Sequence, residues 1–138
     1  MRLYLAGPMR GIPEFNANAF IEATELLRAN DFVVYSPVEH DIQSGFNFNG
    51  LTGKEDLESF EGFSLRQSLA DDLFWVASTA DGLALLPGWH KSRGALAEMF
   101  TAAALGLQAG LVTDWLHADA WSNVSTARTM LAVKGYGL

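Results

Sequence analysis

The sequence predicts an α/β fold built on a parallel sheet, and three observations predict it. Short apolar runs alternate with helical patterns along the chain. The first three runs stop at Gly-Pro, Ser-Pro and Pro-Gly breaks. The length of 138 residues, with 49% hydrophobic and 18% charged residues, suits one domain around one sizeable core.

The elements follow in order. Arg2 to Ala6 is a short apolar run ending at Gly7-Pro8, and it reads as a buried strand. A loop, Gly7 to Pro13, leads to a helix from about Phe15 to Ala29. There Ala19, Phe20, Ala23, Leu26 and Leu27 make one apolar stripe, and Glu22, Glu25 and Arg28 take the other face. Asn30-Asp31 ends that helix. Phe32 to Tyr35 is β-branched and aromatic, a second strand. Residues 38–62 show no clean period and carry several glycines and a loose acidic cluster, so an irregular insertion or lid is expected there.

A helix from about Ser64 to Ser78 precedes a third buried strand, Asp81 to Leu86. Ser92 is placed to cap a helix running from Arg93 to Leu105. Ala109 to Thr113 is a fourth strand. Residues 115–138 form a helical tail, with one amphipathic helix over about Ala120 to Val133. Right-handed crossovers then give an open, Rossmann-like (flavodoxin-like) sheet of order 2-1-3-4 with helices on both faces. In such sheets ligands bind past the carboxyl ends of the strands, where the chain reverses its direction of growth. Here that point lies between the loop Gly7–Gly11 and the loop Pro87–Gly94.

Composition narrows the function. Nine Lys and Arg stand against 16 Asp and Glu, a formal charge of −7, which disfavours a nucleic-acid polymer as partner. Cysteine is absent, so disulfides and cysteine-metal sites are excluded. The longest near-apolar run, Met99 to Val112, is too short to span a membrane. The opening residues lack a signal-peptide pattern, so a soluble cytoplasmic protein is expected.

Two loops and three acids carry the candidate chemistry. In the first loop Gly7 and Gly11 permit close backbone approach, and Arg10 adds a cation. The loop is neither a Walker A nor a dinucleotide fingerprint. The second loop, with Gly88, Trp89, Lys91, Ser92, Arg93 and Gly94, runs into a helix start, where free N–H groups and the dipole favour an anion such as a monophosphate. Capping by Ser92 with two solvated cations is the plainer alternative. Glu98 is the only charged residue between Arg93 and Asp114. A lone carboxylate on an apolar helix is costly unless it is paired or used.

Asp71 and Asp72 lie on the helix before the third strand, and the sequence leaves open which faces inward. A second carboxylate opposite Glu98 is what glycosidic chemistry needs, with the pair about 5–5.5 Å apart in retaining enzymes. His40, His90 and His117 lack metal-ligand spacing and read as ordinary polar histidines. No metal or organic cofactor is expected.

Three segments together resemble a known family. They are Tyr4-Leu5-Ala6-Gly7-Pro8-Met9-Arg10-Gly11, then Asp72-Leu73-Phe74-Trp75, then Ser92-Arg93-Gly94-Ala95-Leu96-Ala97-Glu98. Their order and spacing resemble the nucleoside 2-deoxyribosyltransferase-like superfamily over about Met1 to Val112. Within it the chain looks most like the 2′-deoxynucleoside 5′-phosphate N-hydrolases and a set of small phage and prophage proteins. The resemblance implies that Glu98 is the nucleophile attacking C1′, that Asp72 is the acid helping the base leave, and that Tyr4 holds the nucleophile. It implies that Gly7, Pro8, Met9, Arg10 and Gly11 cover sugar and base. It also implies that Ser92, with Gly88, Trp89, Arg93 and Gly94 around it, receives a 5′-phosphate, and that Asn123 enters the site of a second subunit in a homodimer. The insertion at 38–62 departs from the family's pattern, and Phe46 and Phe48 in it could cover a base.

The expected function is therefore cleavage of the N-glycosidic bond of a (deoxy)nucleoside 5′-monophosphate. Transfer of deoxyribose between bases is the alternative reaction, and a nucleotide-binding module without turnover is the alternative outside catalysis.

Overall fold

The computed structural model describes residues 1–117 and 123–137. Five strands, β1 (Arg2–Ala6), β2 (Val33–Tyr35), β3 (Gly82–Leu85), β4 (Gln108–Leu111) and β5 (Ser125–Thr126), form one sheet of order β2-β1-β3-β4-β5. The first four strands are mutually parallel, and β5 pairs antiparallel with β4. The expected α/β class and the order 2-1-3-4 hold, with β5 added at the edge. Two residues are too few to leave an alternating pattern in the sequence.

The helices are α1 (Ala17–Ala29), α2 (Pro37–Gln43), α3 (Leu65–Ser78), α4 (Arg93–Ala104), α5 (Val112–Leu116) and α6 (Ala127–Val133). The central strands send alternate residues to opposite faces, as the pleat requires. Leu3 and Leu5 of β1 join Phe20 and Leu27 of α1 and Trp115 of α5 in one core. Tyr4 and Ala6 join Val76 of α3, Met99 of α4 and Leu131 of α6 in the other. Tyr4 is thereby aimed at the α4 side of the sheet. None of the described helices is long and apolar enough to cross a membrane.

Some boundaries differ from expectation. The 38–62 segment is not wholly irregular, because Ser36 caps α2 through the Glu39 N–H and Pro37 opens its first turn. The fourth strand stops at Leu111, where the chain turns into α5. The tail helix begins at Ala127, and the part expected from Ala120 falls partly on residues 118–122, outside the described residues.

Among the described residues, the entry to α1 holds the one run of consecutive non-glycine residues at positive φ. Glu14, Phe15 and Asn16 all hold positive φ, between 53° and 63°, a conformation costing a non-glycine residue about 1–2 kcal/mol. Long-range bonds hold it. The Glu14 N–H donates to the Leu51 carbonyl at 2.7 Å, and the Gly50 N–H donates to the Glu14 carboxylate at 2.7 Å. The Asn16 amide donates to the Pro8 carbonyl at 2.9 Å, and Phe15 is buried. Residues 50–55 thus lean on the loop after β1. The Gly11 N–H donates to the Gly53 carbonyl at 2.8 Å.

Gly53 permits that contact, with φ at +89° and the Ile12 backbone where a Cβ would stand. Gly50 has φ at +77° but open space around it. Urea denaturation is expected to show Gly53→Ala losing about 3 kcal/mol and Gly50→Ala about 1, because only the first adds a backbone clash to the left-handed strain. Equal losses would show that the contact with Ile12 does not hold the segment.

Candidate active site

Tyr4 and Glu98 meet on the α4 side of the sheet. The Tyr4 hydroxyl donates to Glu98 Oε2 at 2.7 Å, with both side chains buried. Glu98 stands in the buried face of α4 with Ala95, Met99 and Ala102. That helix is not buried all round, because Phe100 is exposed, but Glu98 lies on the covered side.

Asp72 is the inward acid of the Asp71-Asp72 pair. It is 8% exposed, and its Oδ1 accepts from the Tyr35 hydroxyl at 3.1 Å. Asp71 faces outward, bonded to His40 Nε2 at 3.1 Å and to the Gln67 amide at 2.7 Å. The two tyrosines that hold the buried acids come from neighbouring strands in register, and they stack at 5.5 Å with 21° between their planes. Trp75 closes on Tyr35 at 5.1 Å and on Tyr4 at 6.4 Å. Period-two alternation on β1 and β2, combined with one helical turn from Asp72 to Trp75, makes this wall.

Burial sets the electrostatics. It pushes Glu98 well above the usual carboxylate range, against the Tyr4 hydrogen bond, and the Asp72 charge pushes the same way. Burial also raises Asp72 to about 6, with the Tyr35 and Tyr4 hydroxyls opposing. Glu98 feels the Asp72 charge, so the protonation of one acid bears on the other. Tyr4 itself is held firmly protonated, by burial first and then by the Glu98 and Asp72 charges. Asp41, on α2, is raised to about 6 by burial and then by the Asp72 charge.

The two loops lie side by side. A Cβ on Gly7 would stand 2.7 Å from Leu86 Cβ, and one on Gly88 would stand 3.5 Å from Pro8 Cγ. Ser92 caps α4, its Oγ accepting from the Ala95 N–H at 3.2 Å. The Ser92 O–H proton takes no part in that bond. Arg93 is exposed in the first turn, and a Cβ on Gly94 would stand 3.9 Å from Ser92 Oγ. Glu98 follows about 9 Å further along the same helix axis.

Four residues expected at the ligand are engaged elsewhere. Arg10 is exposed, and its guanidinium donates to the carbonyls of Glu55 at 2.8 Å and Lys54 at 3.1 Å. It braces the 50–55 segment. The Trp89 side chain is 2% exposed and belongs to the core. Met9 packs partly buried against the α1 core, and Gly11 serves the contact with Gly53. Asn123 is exposed just before β5. Sequence reasoning missed Tyr35, Trp75 and His40 in the wall. Tyr35 was legible only as the last residue of a strand beside β1.

The retained protons give a stability prediction. Asp72 and Asp41 keep theirs up to about 6, while their ordinary value is 3.8. The native state therefore binds more protons than the unfolded chain between these limits. That stabilisation is full below the lower limit and is lost as pH rises through the upper one. Glu39, Asp71 and Asp81 are lowered and act the other way, but they are ionised in both states above about pH 5. Urea midpoints are expected to fall from about pH 5 to about pH 7.5, and Asp72→Asn is expected to recover ~2 kcal/mol of that loss. A wild-type midpoint that rises over this interval would contradict the assignment.

No curated protein and no solved structure matches the chain. Residues 1–110 match the family described as a domain of unknown function, DUF4406, and the span includes Tyr4, Asp72, Ser92 and Glu98. The chain belongs to the DUF4406 family.

Proposed function

We propose that the chain cleaves the N-glycosidic bond of a (deoxy)nucleoside 5′-monophosphate, giving free base and sugar phosphate. The observation that carries the reading is the buried Tyr4–Glu98 hydrogen bond beside a second buried acid, Asp72. The three segments that resemble the nucleoside 2-deoxyribosyltransferase-like superfamily hold these same residues.

The mechanism follows from burial. Two negative charges in one dry site are costly, so the pair of acids retains a proton. Burial favours the shared proton on Glu98 over Asp72, so the reactive form is the minor one in which Asp72 holds it and Glu98 is a carboxylate steadied by the Tyr4 hydroxyl. Glu98 attacks C1′ as the bond from C1′ to the base nitrogen breaks, through a transition state with oxocarbenium character. The leaving nitrogen takes the bonding pair and the Asp72 proton. Water then adds to C1′, its proton returns to Asp72, and Glu98 leaves as carboxylate.

The 5′-phosphate would rest on the N–H groups at the start of α4, with the Ser92 O–H and Arg93 beside them. Arg10 has no part in that step, since the backbone carbonyls of Lys54 and Glu55 hold it. In this reading Asn123 of one copy serves the site of another, and a homodimer is the working unit.

Incubation with each ribo- and deoxyribonucleoside monophosphate, followed by chromatography for free base, tests the reading. At least one nucleotide is expected to release its base without an added acceptor. Glu98→Gln is expected to lower kcat by about a thousandfold or more while leaving nucleotide affinity within a few-fold, since the amide cannot attack. Tyr4→Phe is expected to cost about tenfold to a hundredfold, by removing one donor to the carboxylate. Base release only with an added acceptor base would make the reaction a transfer. Folded protein that releases no base under either condition sinks the reading.

A further inference from the structure

Outside the Tyr4–Glu98–Asp72 wall lies a cleft of about 430 Å³, bounded by α2, the chain at 44–47, the chain at 60–64 and the start of α3. That volume is in the range of small-molecule sites. Its walls differ in kind. Phe46, Phe60 and Phe63 supply one side, with Phe46 against Phe60 and against Phe63 at 5.3 Å each. His40, Asp41, Gln67, Ser68 and Asp71 supply the other.

The polar side is rich in acceptors. Asp71 is engaged by His40 and Gln67. Asp41 accepts from Ser68 only through Oδ1, at a long 3.4 Å, so Oδ2 is placed to accept from a ligand. Neither lysine nor arginine lines the cleft, so a phosphate finds no counter-charge there. A flat ring lying against the phenylalanine side, with amino hydrogens directed at Asp41, satisfies both walls.

We propose that this cleft binds a heteroaromatic ring bearing an exocyclic amino group, with Asp41 as the residue that selects for it. The ring lies close to the buried acids. His40 packs on Tyr35 at 5.5 Å, and the Tyr35 hydroxyl holds Asp72. Identifying the ring with the base that leaves in the reaction rests on the N-glycosidase reading. Ring binding itself does not.

Calorimetry with free bases tests the cleft without any turnover. At about pH 8, where Asp41 is ionised, cytosine is expected to bind about tenfold tighter than uracil, and adenine about tenfold tighter than hypoxanthine, the worth of a hydrogen bond to a charged acceptor. Asp41→Asn should bring each ratio to within about threefold, since the amide no longer offers two acceptor oxygens. Phe63→Leu should weaken all four bases alike, because it thins the stacking wall. Equal affinities in the wild type, no binding, or ratios unmoved by Asp41→Asn would each overturn the proposal.

Glu98→Gln separates the two claims. Amino-selective binding in both the wild type and that variant, with no turnover of any nucleotide, keeps the cleft and removes the glycosidase. Turnover of nucleotides together with equal binding of amino-bearing and amino-free bases keeps the glycosidase and removes the cleft.

Discussion

Two carboxylates held out of water are the constraint on which the site depends. Glu98 and Asp72 are both buried, and neither has a lysine or arginine partner among the described residues. An unpaired buried charge is among the costliest features a fold can carry. The molecule relieves it with two phenolic hydroxyls, from Tyr4 and Tyr35, and by retaining protons. A chain selected for stability alone would place apolar residues at 72 and 98. A fold tolerates such strain where chemistry uses it.

The sheet makes this relief possible. Parallel pairing sets Tyr4 beside Tyr35, and the pleat turns Tyr4 away from Leu3 and Leu5 toward α4. The crossover through α3 returns Asp72 to the same side before β3 begins. No short-range motif could gather these groups, because Tyr4 and Glu98 are 94 positions apart. What joins them is the right-handed winding of one strand-helix unit after another.

That winding also decides what could be read from the sequence. Strands β1 to β4 and helices α1, α3 and α4 carry long enough patterns, or sharp enough Gly and Pro stops, to be placed within a few residues. Glu98 was legible as the one charge in an apolar stretch, and Ser92 as the cap before it. Helix α2 was not, because seven residues are too few to show a helical period. Its signature was present in Ser36, Pro37 and Glu39, a capping pattern that also reads as a strand stop. The inward choice between Asp71 and Asp72 needed the phase of α3 relative to the sheet, which neighbouring residues of like type do not reveal. Arg10 misled for a different reason. Its partners are backbone carbonyls of a distant segment, and carbonyls leave no trace in residue identity.

The insertion then ceases to be a mere departure. Arg10, Gly11, Glu14 and Asn16 spend their hydrogen bonds on fixing the first loop and the entry to α1, three of them against residues 50–55. The strain at Glu14, Phe15 and Asn16 is tolerated because those contacts over-determine it. Fixing that loop orients the chain that continues to Phe60 and Phe63, opposite His40 and Asp41. A chain of net charge −7 has little cation to spare. It leaves Lys91 and Arg93 beside the start of α4 and lines the cleft with acceptors instead. In the proposed reading these two places take the two ends of one ligand, an anion at the start of α4 and an amino-bearing ring in the cleft. A nucleotide is a molecule with those two ends.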